Sequence, residues 1–479
     1  MSREKASLGS SVPKERPRKS VTLGGFVGID RRRRLDSAAV IGGYGIGHAV
    51  PGALCSAEVP IDTGERYENP VSMCSVGDSL AIVYQTDDGL RLAIRGGEHP
   101  FDVSLAEHSS VSDPLPRSIC AFNYYTDPLD PIGGSFERQI LVFPDKIRLR
   151  LVDGDWTVEH MESEGRVLPN IDRACVHLSR LYGAGDDRVW VSAYNSPDDF
   201  ELDTASEYGS SSAWASTVQS NTRADGEICA MTLYDGHVLC FKRNFCHSIN
   251  NNKNPFRIVD LFCRGARSAE AITELDGRLI FISEDGIYSY GGASPERVSD
   301  ALCVRDFGGS MLCSHAGLCY IYVASLRALY TFDPEHGEFG RVAIADGLRI
   351  TALAASDSGA YFLSSDGALW RIDSGEFGDF RVESAALTLG FDRPFRLDDV
   401  SVMAELGKGA RLRIGAVDAD GKERLLGEFV GDGLHPRRFI ADACGIDAPI
   451  GDSASIVLSG KGEIVISSVR LRGVGVRSD

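Results

Sequence analysis

The sequence predicts an all-β chain organised around a β-propeller, and three observations carry that expectation. Helical periodicity is scarce, while strand-length runs of β-branched and aromatic residues recur between Gly, Asp and Pro. A hairpin-like unit repeats between residues 230 and 375, with an apolar run and a second, aromatic-rich run on either side of a tight turn: YDGHVLCFKRNFCHSI, LDGRLIFISEDGIYSY, HAGLCYIYVASLRALYTF and DSGAYFLSSDGALWRI. Their first glycines, Gly236, Gly277, Gly317 and Gly359, lie 41, 40 and 42 residues apart, which is the period of a propeller blade and has no counterpart in a sandwich.

Earlier hairpin-like segments, SVGDSLAIVYQTDDGLRLAI, FERQILVFPDKIRLRLV and GAGDDRVWVSAY, add glycines at 77, 134 and 185. One blade per glycine gives about seven, with longer loops in the first half. The Asp285-Gly286 and Asp366-Gly367 pairs fall between strand-like runs, where a residue tolerant of positive φ makes a hairpin turn inexpensive. The predicted organisation is a basic amino-terminal arm over 1–37, a connector over 38–70 that includes the Gly-rich GGYGIG, the propeller over 71–382, and a β-sandwich over 383–479. That last stretch carries alternating runs such as ARLRIGAV, SASIVLSG and EIVISSVRLRGV.

Charge and cysteine usage bound the function. The net charge is −18, but residues 1–37 hold ten Lys/Arg against four Asp/Glu. The acidic body is a poor tight binder of nucleic acid, whose affinity comes from neutralised phosphates. The basic tip, Arg31, Arg32, Arg33 and Arg34, is read as a flexible arm contacting a neighbour. Twelve scattered cysteines without a C-x-x-C pair read as free thiols of a reducing compartment. No run approaches the roughly 20 apolar residues of a membrane span. The start of the chain lacks a signal-peptide core, so the expectation is a soluble protein made in a cytoplasm.

No catalytic, cofactor or metal site is predicted. Cys240, Cys246, His247 and Cys263 are the one thiol–imidazole grouping, yet neighbouring strand residues alternate faces, so core thiols and a surface His are the expectation. Asp186-Asp187 and Asp198-Asp199 fall short of the oxygen count a calcium ion requires. SSDGALW and SEDGIY sit one residue short of a sialidase-type Asp box, and no arginine cluster accompanies them.

Residues 186–302 contain, in order, DDRVWVSAYNSPDDFE, HVLCFKRNFCHSI, NNNKNPFRIVDLFCRGARSAEAI and LDGRLIFISEDGIYSYGGASPERVSDAL, and FVGIDRRRR stands near the amino terminus. With these segments the chain resembles the tailed-bacteriophage packaged-DNA or head-completion "stabilization" proteins, and more loosely the propeller hub and nozzle proteins of short phage tails. The resemblance implies a non-enzymatic virion structural protein in the tail or head–tail connector, assembled in the bacterial host cytoplasm. It further implies a homo-oligomeric ring, six copies by resemblance, that retains and conducts the packaged genome. Partners would be a portal or head-completion adaptor and a tail fibre or other tail protein. The alternatives are a carbohydrate-binding or carbohydrate-active propeller, and a cytoplasmic scaffold propeller that binds peptides.

Overall fold

The computed structural model describes residues 18–32, 40–48, 50, 52–97, 99–109, 111, 113–125, 136–152, 154–162, 167–202, 212–217, 226–250, 256–345, 347–391, 394–418, 420–443 and 450–476. It divides into two compact units, residues 58–376 and residues 1–57 with 377–479.

The first unit is a β-propeller. Among the described residues it comprises seven antiparallel meanders of four strands. Six are continuous in sequence, beginning at Pro70–Val76, Ser118–Tyr125, Arg173–His177, Ala230–Tyr234, Ile272–Leu275 and Met311–His315. The seventh takes Ile350–Ser356, Gly359–Ser364 and Ala368–Arg371 from the end of the unit and Ile61–Arg66 from its beginning. Trp370 lies opposite Asp62 and Arg371 opposite Ile61, and the Thr63 hydroxyl donates to the Leu369 carbonyl at 2.9 Å. One sheet is thereby built from both ends of the propeller, which locks the ring.

The second strand of each meander is buried on both faces, which explains its nearly unbroken apolar run. In Ser79–Thr86, Ala81 and Val83 pack with Ile140 and Val142 of the second meander, while Leu80 and Ile82 pack with Ala352 and Leu363 of the seventh. The same two-sided burial joins the second meander to the third through Phe143 and Leu181, the third to the fourth through Val189 and Val238, and the fourth to the fifth through Phe241 and Phe281. Thr273 and Ser314 connect the fifth and sixth, and Tyr322 and Phe362 the sixth and seventh.

The other unit differs from the predicted boundaries. Residues expected in a flexible arm and a connector are strands of the same unit as the carboxy-terminal segment. Arg18–Gly24 pairs antiparallel with Ile464–Gly475, from Arg18 opposite Val474 to Gly24 opposite Ser468. The GGYGIG segment is not a connector, because Val40–Tyr44 pairs with Asp379–Ser384 and Ile46–Gly47 with Leu54–Ser56. Glycine is required there, since a Cβ on Gly45, at φ 69°, would lie 2.6 Å from the Asp379 carbonyl oxygen. The unit has two antiparallel sheets. In one, Ile464–Gly475 lies between Phe395–Leu406 on one side and Arg18–Gly24 with Leu54–Ser56 on the other, and Gly433–Asp442 forms the far edge. The second runs Val40–Tyr44, Asp379–Ser384, Ser455–Lys461, Arg411–Val417, Glu423–Val430. Leu23, Leu54 and Val469 of the first and Val382, Ile456 and Leu458 of the second line one shared apolar gap.

Candidate functional site

The first strands of the meanders surround an axial cavity of about 400 Å³, lined by residues from all seven meanders. Its charge is set by two residues. Arg117, immediately before the second meander, is buried and offers no free charge. Its guanidinium donates to both oxygens of Asp145, at 2.6 and 3.3 Å, and to the carbonyls of Asp113, Leu115 and Val111 at 2.9, 2.7 and 3.3 Å. Glu270, in the single helical turn Ala269–Ala271, is half-buried and forms no ion pair among the described residues, so it is the carboxylate open to the cavity.

Cys74, Cys313, Ser118, Thr273 and Ser314 of the lining are held in unreactive states. Burial, helped by the Glu270 charge, pushes the Cys74 thiol up to about 12, and burial raises Cys313 as well, so both remain thiols and not nucleophilic thiolates. The Ser118 hydroxyl donates to the Ala174 carbonyl at 3.2 Å and accepts the Ala174 N–H at 2.8 Å. Ser314 donates to the Glu274 carbonyl at 2.8 Å and shares a 2.8 Å hydrogen bond with Thr273. The arrangement suits holding a neutral or cationic group near Glu270.

The residues singled out from sequence lie elsewhere. Gly236, Gly277 and Gly317, at φ 70°, 70° and 77°, each follow a residue that also has positive φ, namely Asp235, Asp276 and Ala316, in the turn between the first two strands of their meanders. Such paired positive φ values match the right-handed twist of the hairpin arms. Gly359 opens the second strand of the seventh meander. Asp285 and Gly286 join the second and third strands of the fifth meander, where both Asp285 oxygens accept the Tyr288 hydroxyl. Asp366 and Gly367 occupy the corresponding turn of the seventh. There the Gly367 carbonyl accepts the Tyr67 N–H at 2.8 Å, and a Cβ on Gly367 would lie 2.1 Å from the Tyr67 oxygen. Arg31 is exposed, and Arg32 is turned back onto Asp30, its Nε 2.7 Å from Oδ1. Arg33 and Arg34 lie outside the described residues.

His247 is buried, in contrast to its predicted surface position, because it faces Cys240 across the strands and stacks on Phe245 at 5.0 Å. Its Nδ1 meets Asp260 at 3.1 Å. Among the described residues no group of three His, Cys, Asp or Glu side chains is placed to hold a metal ion. No helix among them is long and apolar enough to cross a membrane. Arg117 and Glu270 of the cavity lining, and Asp145 that holds Arg117, are candidate-site residues that sequence reasoning missed, and only the odd placement of a lone Arg before the strand SICAFNYY marks any of them locally.

No protein-family model matches the chain, and no curated protein does. Solved structures with a similar strand layout include a catalytically inactive virginiamycin B lyase from Staphylococcus aureus with quinupristin, at 9% identity over 65% of this chain and 97% of that one, with a TM-score of 0.42. A streptogramin B lyase gives 10% identity, 65% and 95% coverage, and a TM-score of 0.40. The extracellular domain of a hybrid two-component system from B. thetaiotaomicron gives 12%, 88% and 63%, and 0.44.

Proposed function

We propose that the chain is a non-enzymatic structural protein of a tailed-phage particle, which associates with its own copies in the tail or head–tail connector. The observation that carries an assembly role is a set of exposed apolar side chains on the last strand of each sheet of the second unit. Glu423–Val430 and Gly433–Asp442 pack against each other through Phe429 and Phe439, with ring centroids 5.2 Å apart, yet leave Leu425, Val430, Leu434 and Ile440 exposed by 63%, 63%, 49% and 57%, apolar surface suited to a partner. The phage assignment is supported by the resemblance of residues 186–302 and of FVGID. The raised thiols of Cys74 and Cys313 agree with a scaffold role.

The test is cryo-electron microscopy and protein mass spectrometry of particles purified from the source phage or induced prophage. Rings of this chain near the portal are expected. Its absence from complete particles overturns the reading.

A second reading, a glycan-binding propeller, draws on Glu270 in the hydroxyl-lined axial cavity. Glycoside hydrolysis uses two carboxylates roughly 5–9.5 Å apart, whereas Glu270 is the one carboxylate among the described lining residues, so this reading is of binding alone. A glycan array that shows signal, lost in Glu270→Gln, would favour it.

A further inference from the structure

The charge of the chain is divided between its two units. Residues 58–376 hold 26 Lys/Arg against 48 Asp/Glu, a net −22, whereas residues 1–57 with 377–479 hold 24 against 20, a net +4. Each sign has a local focus.

The cationic focus is the outer face of the five-stranded sheet, at a depression of about 700 Å³ lined by Tyr44, Arg381, Arg411, Arg413 and Lys461 among others. Register creates it. Asp379, Lys461, Arg411 and Val430 form one cross-strand row, and Tyr44, Arg381, Ser459, Arg413 and Glu428 the next. Within the second row Arg381 is clamped by Glu423 at 3.0 and 2.8 Å, and Arg413 by Glu428 at 3.3 Å. Arg411 and Lys461 have no such partner. They stand directly opposite one another, exposed, and neither makes an ion pair among the described residues, Asp379 included. Like charges directly opposite across a sheet are destabilising, and Asp379, opposite Lys461 on its other side, offsets one of the two, so the row keeps a positive charge that an external anionic group neutralises.

The anionic focus is one face of the propeller, where the first turns of successive meanders emerge. The Tyr234 hydroxyl donates to the Gly277 carbonyl at 3.0 Å, which sets the Asp235 turn beside the Asp276 turn, with the exposed Glu274 next to them. Asp235 and Asp276 are exposed and free of ion pairs among the described residues. Arg278 is the nearby cation in sequence, and Asp78, in the equivalent turn of the first meander, is already held by Arg138 at 3.1 Å.

We propose that Arg411 and Lys461 of one copy dock on the Asp235 and Asp276 turns of a second copy's propeller. This rests on the reading of the chain as a self-assembling structural protein, and names the surfaces through which it assembles. The contact is heterologous, head to tail, and therefore generates a ring where the rotation closes and a filament where it does not. Tyr44 and Val430, exposed at the ends of the two rows, add apolar area to the edge of the contact.

The test is sedimentation velocity of the full chain across protein concentration at low and high ionic strength. The parent is expected to self-associate, more weakly at high salt. Arg411→Glu/Lys461→Glu and, separately, Asp235→Lys/Asp276→Lys are each expected to weaken self-association by at least about tenfold, because like charges then meet. All four residues are exposed, so both variants keep the parent's circular dichroism; Arg411→Glu/Lys461→Glu also keeps its melting temperature, whereas Lys at the positive-φ positions 235 and 276 lowers it modestly, and association is compared well below either melting temperature. The two variants mixed are expected to associate with each other. A parent that stays monomeric under all conditions overturns the contact. A parent that self-associates while both reversal variants associate equally well overturns the docking surfaces but leaves the assembly reading standing, since that is judged by the composition of particles.

Discussion

Arg117 and Asp145 form an ion pair with both side chains removed from solvent, Nε to Oδ2 at 2.6 Å, and Arg117, at the entrance of the second meander, lines the axial cavity. Three carbonyls of residues 111–115 share the same guanidinium, so one cation fixes the approach of the chain to the axis.

Removing one partner leaves the other charge buried and uncompensated. Asp145→Ala is expected to cost about 3–5 kcal/mol, measured as a lower urea midpoint. Arg117→Met with Asp145→Leu is expected to recover part of that loss, and not all, since the three carbonyls are left without their donor.

Thiol reactivity separates core from surface. Cys263 and Cys303 are exposed, whereas burial pushes Cys74 and Cys240 up to about 12 and raises Cys246 and Cys319 well above the ordinary thiol range. A maleimide or disulfide reagent at neutral pH is expected to modify Cys263 and Cys303 promptly, half-buried Cys74 slowly because its thiol is raised, and Cys240, Cys246 and Cys319 only on unfolding, as read by peptide mass spectrometry. Prompt modification of Cys240 would show that the propeller core opens in solution.

Burial holds the His247 imidazole below its usual range, with Asp260 opposing that shift, and burial lowers His177 too. As pH falls through the unfolded value of about 6.5, the unfolded chain binds protons that the folded chain does not. Stability from these two groups is therefore present above that value and lost below it. Exposed His336, raised by its hydrogen bond to Asp333, acts in the opposite sense. His247→Gln is expected to flatten the acid-side fall of the urea midpoint between about pH 7.5 and 5.5; an unchanged slope would show that His247 binds its proton equally well in the folded and the unfolded chain.

Gly367→Ala drives a Cβ into the Tyr67 backbone at φ 84°, just where the chain leaves the closing strand Ile61–Arg66. The expected cost is above about 1 kcal/mol, with hydrogen exchange at residues 61–66 rising more than elsewhere. Gly236→Ala meets open space, so its cost comes from positive φ alone.

What was legible in the sequence follows from locality. AIVY and LCYIYV read as strands because both faces are buried, and Asp235-Gly236 and Asp276-Gly277 read as turns because their geometry is decided by two adjacent residues. The strand Ile61–Arg66 was not legible. IDTGER has no apolar alternation and every residue is exposed; only its register with Ala368–Arg371 makes it a strand. GGYGIG misled for a related reason, since its glycines permit close approach to Asp379–Ser384, far away in sequence. Arg411 and Lys461 are neighbours through pairing alone, and nothing around Glu270 announces an axial position.

The pairing of Arg18–Gly24 with Ile464–Gly475 has a consequence for the order in which a ribosome delivers the chain. The seventh meander is complete once Arg371 has emerged, so the propeller closes during synthesis, while Arg18–Gly24 has no strand to join until Ile464 follows. At about 5–20 residues per second that wait lasts on the order of half a minute or more. Throughout it, RKSVTLG has no strand to pair with, and the like charges of Arg18 and Lys19 at its head oppose pairing between copies of the segment on neighbouring nascent chains.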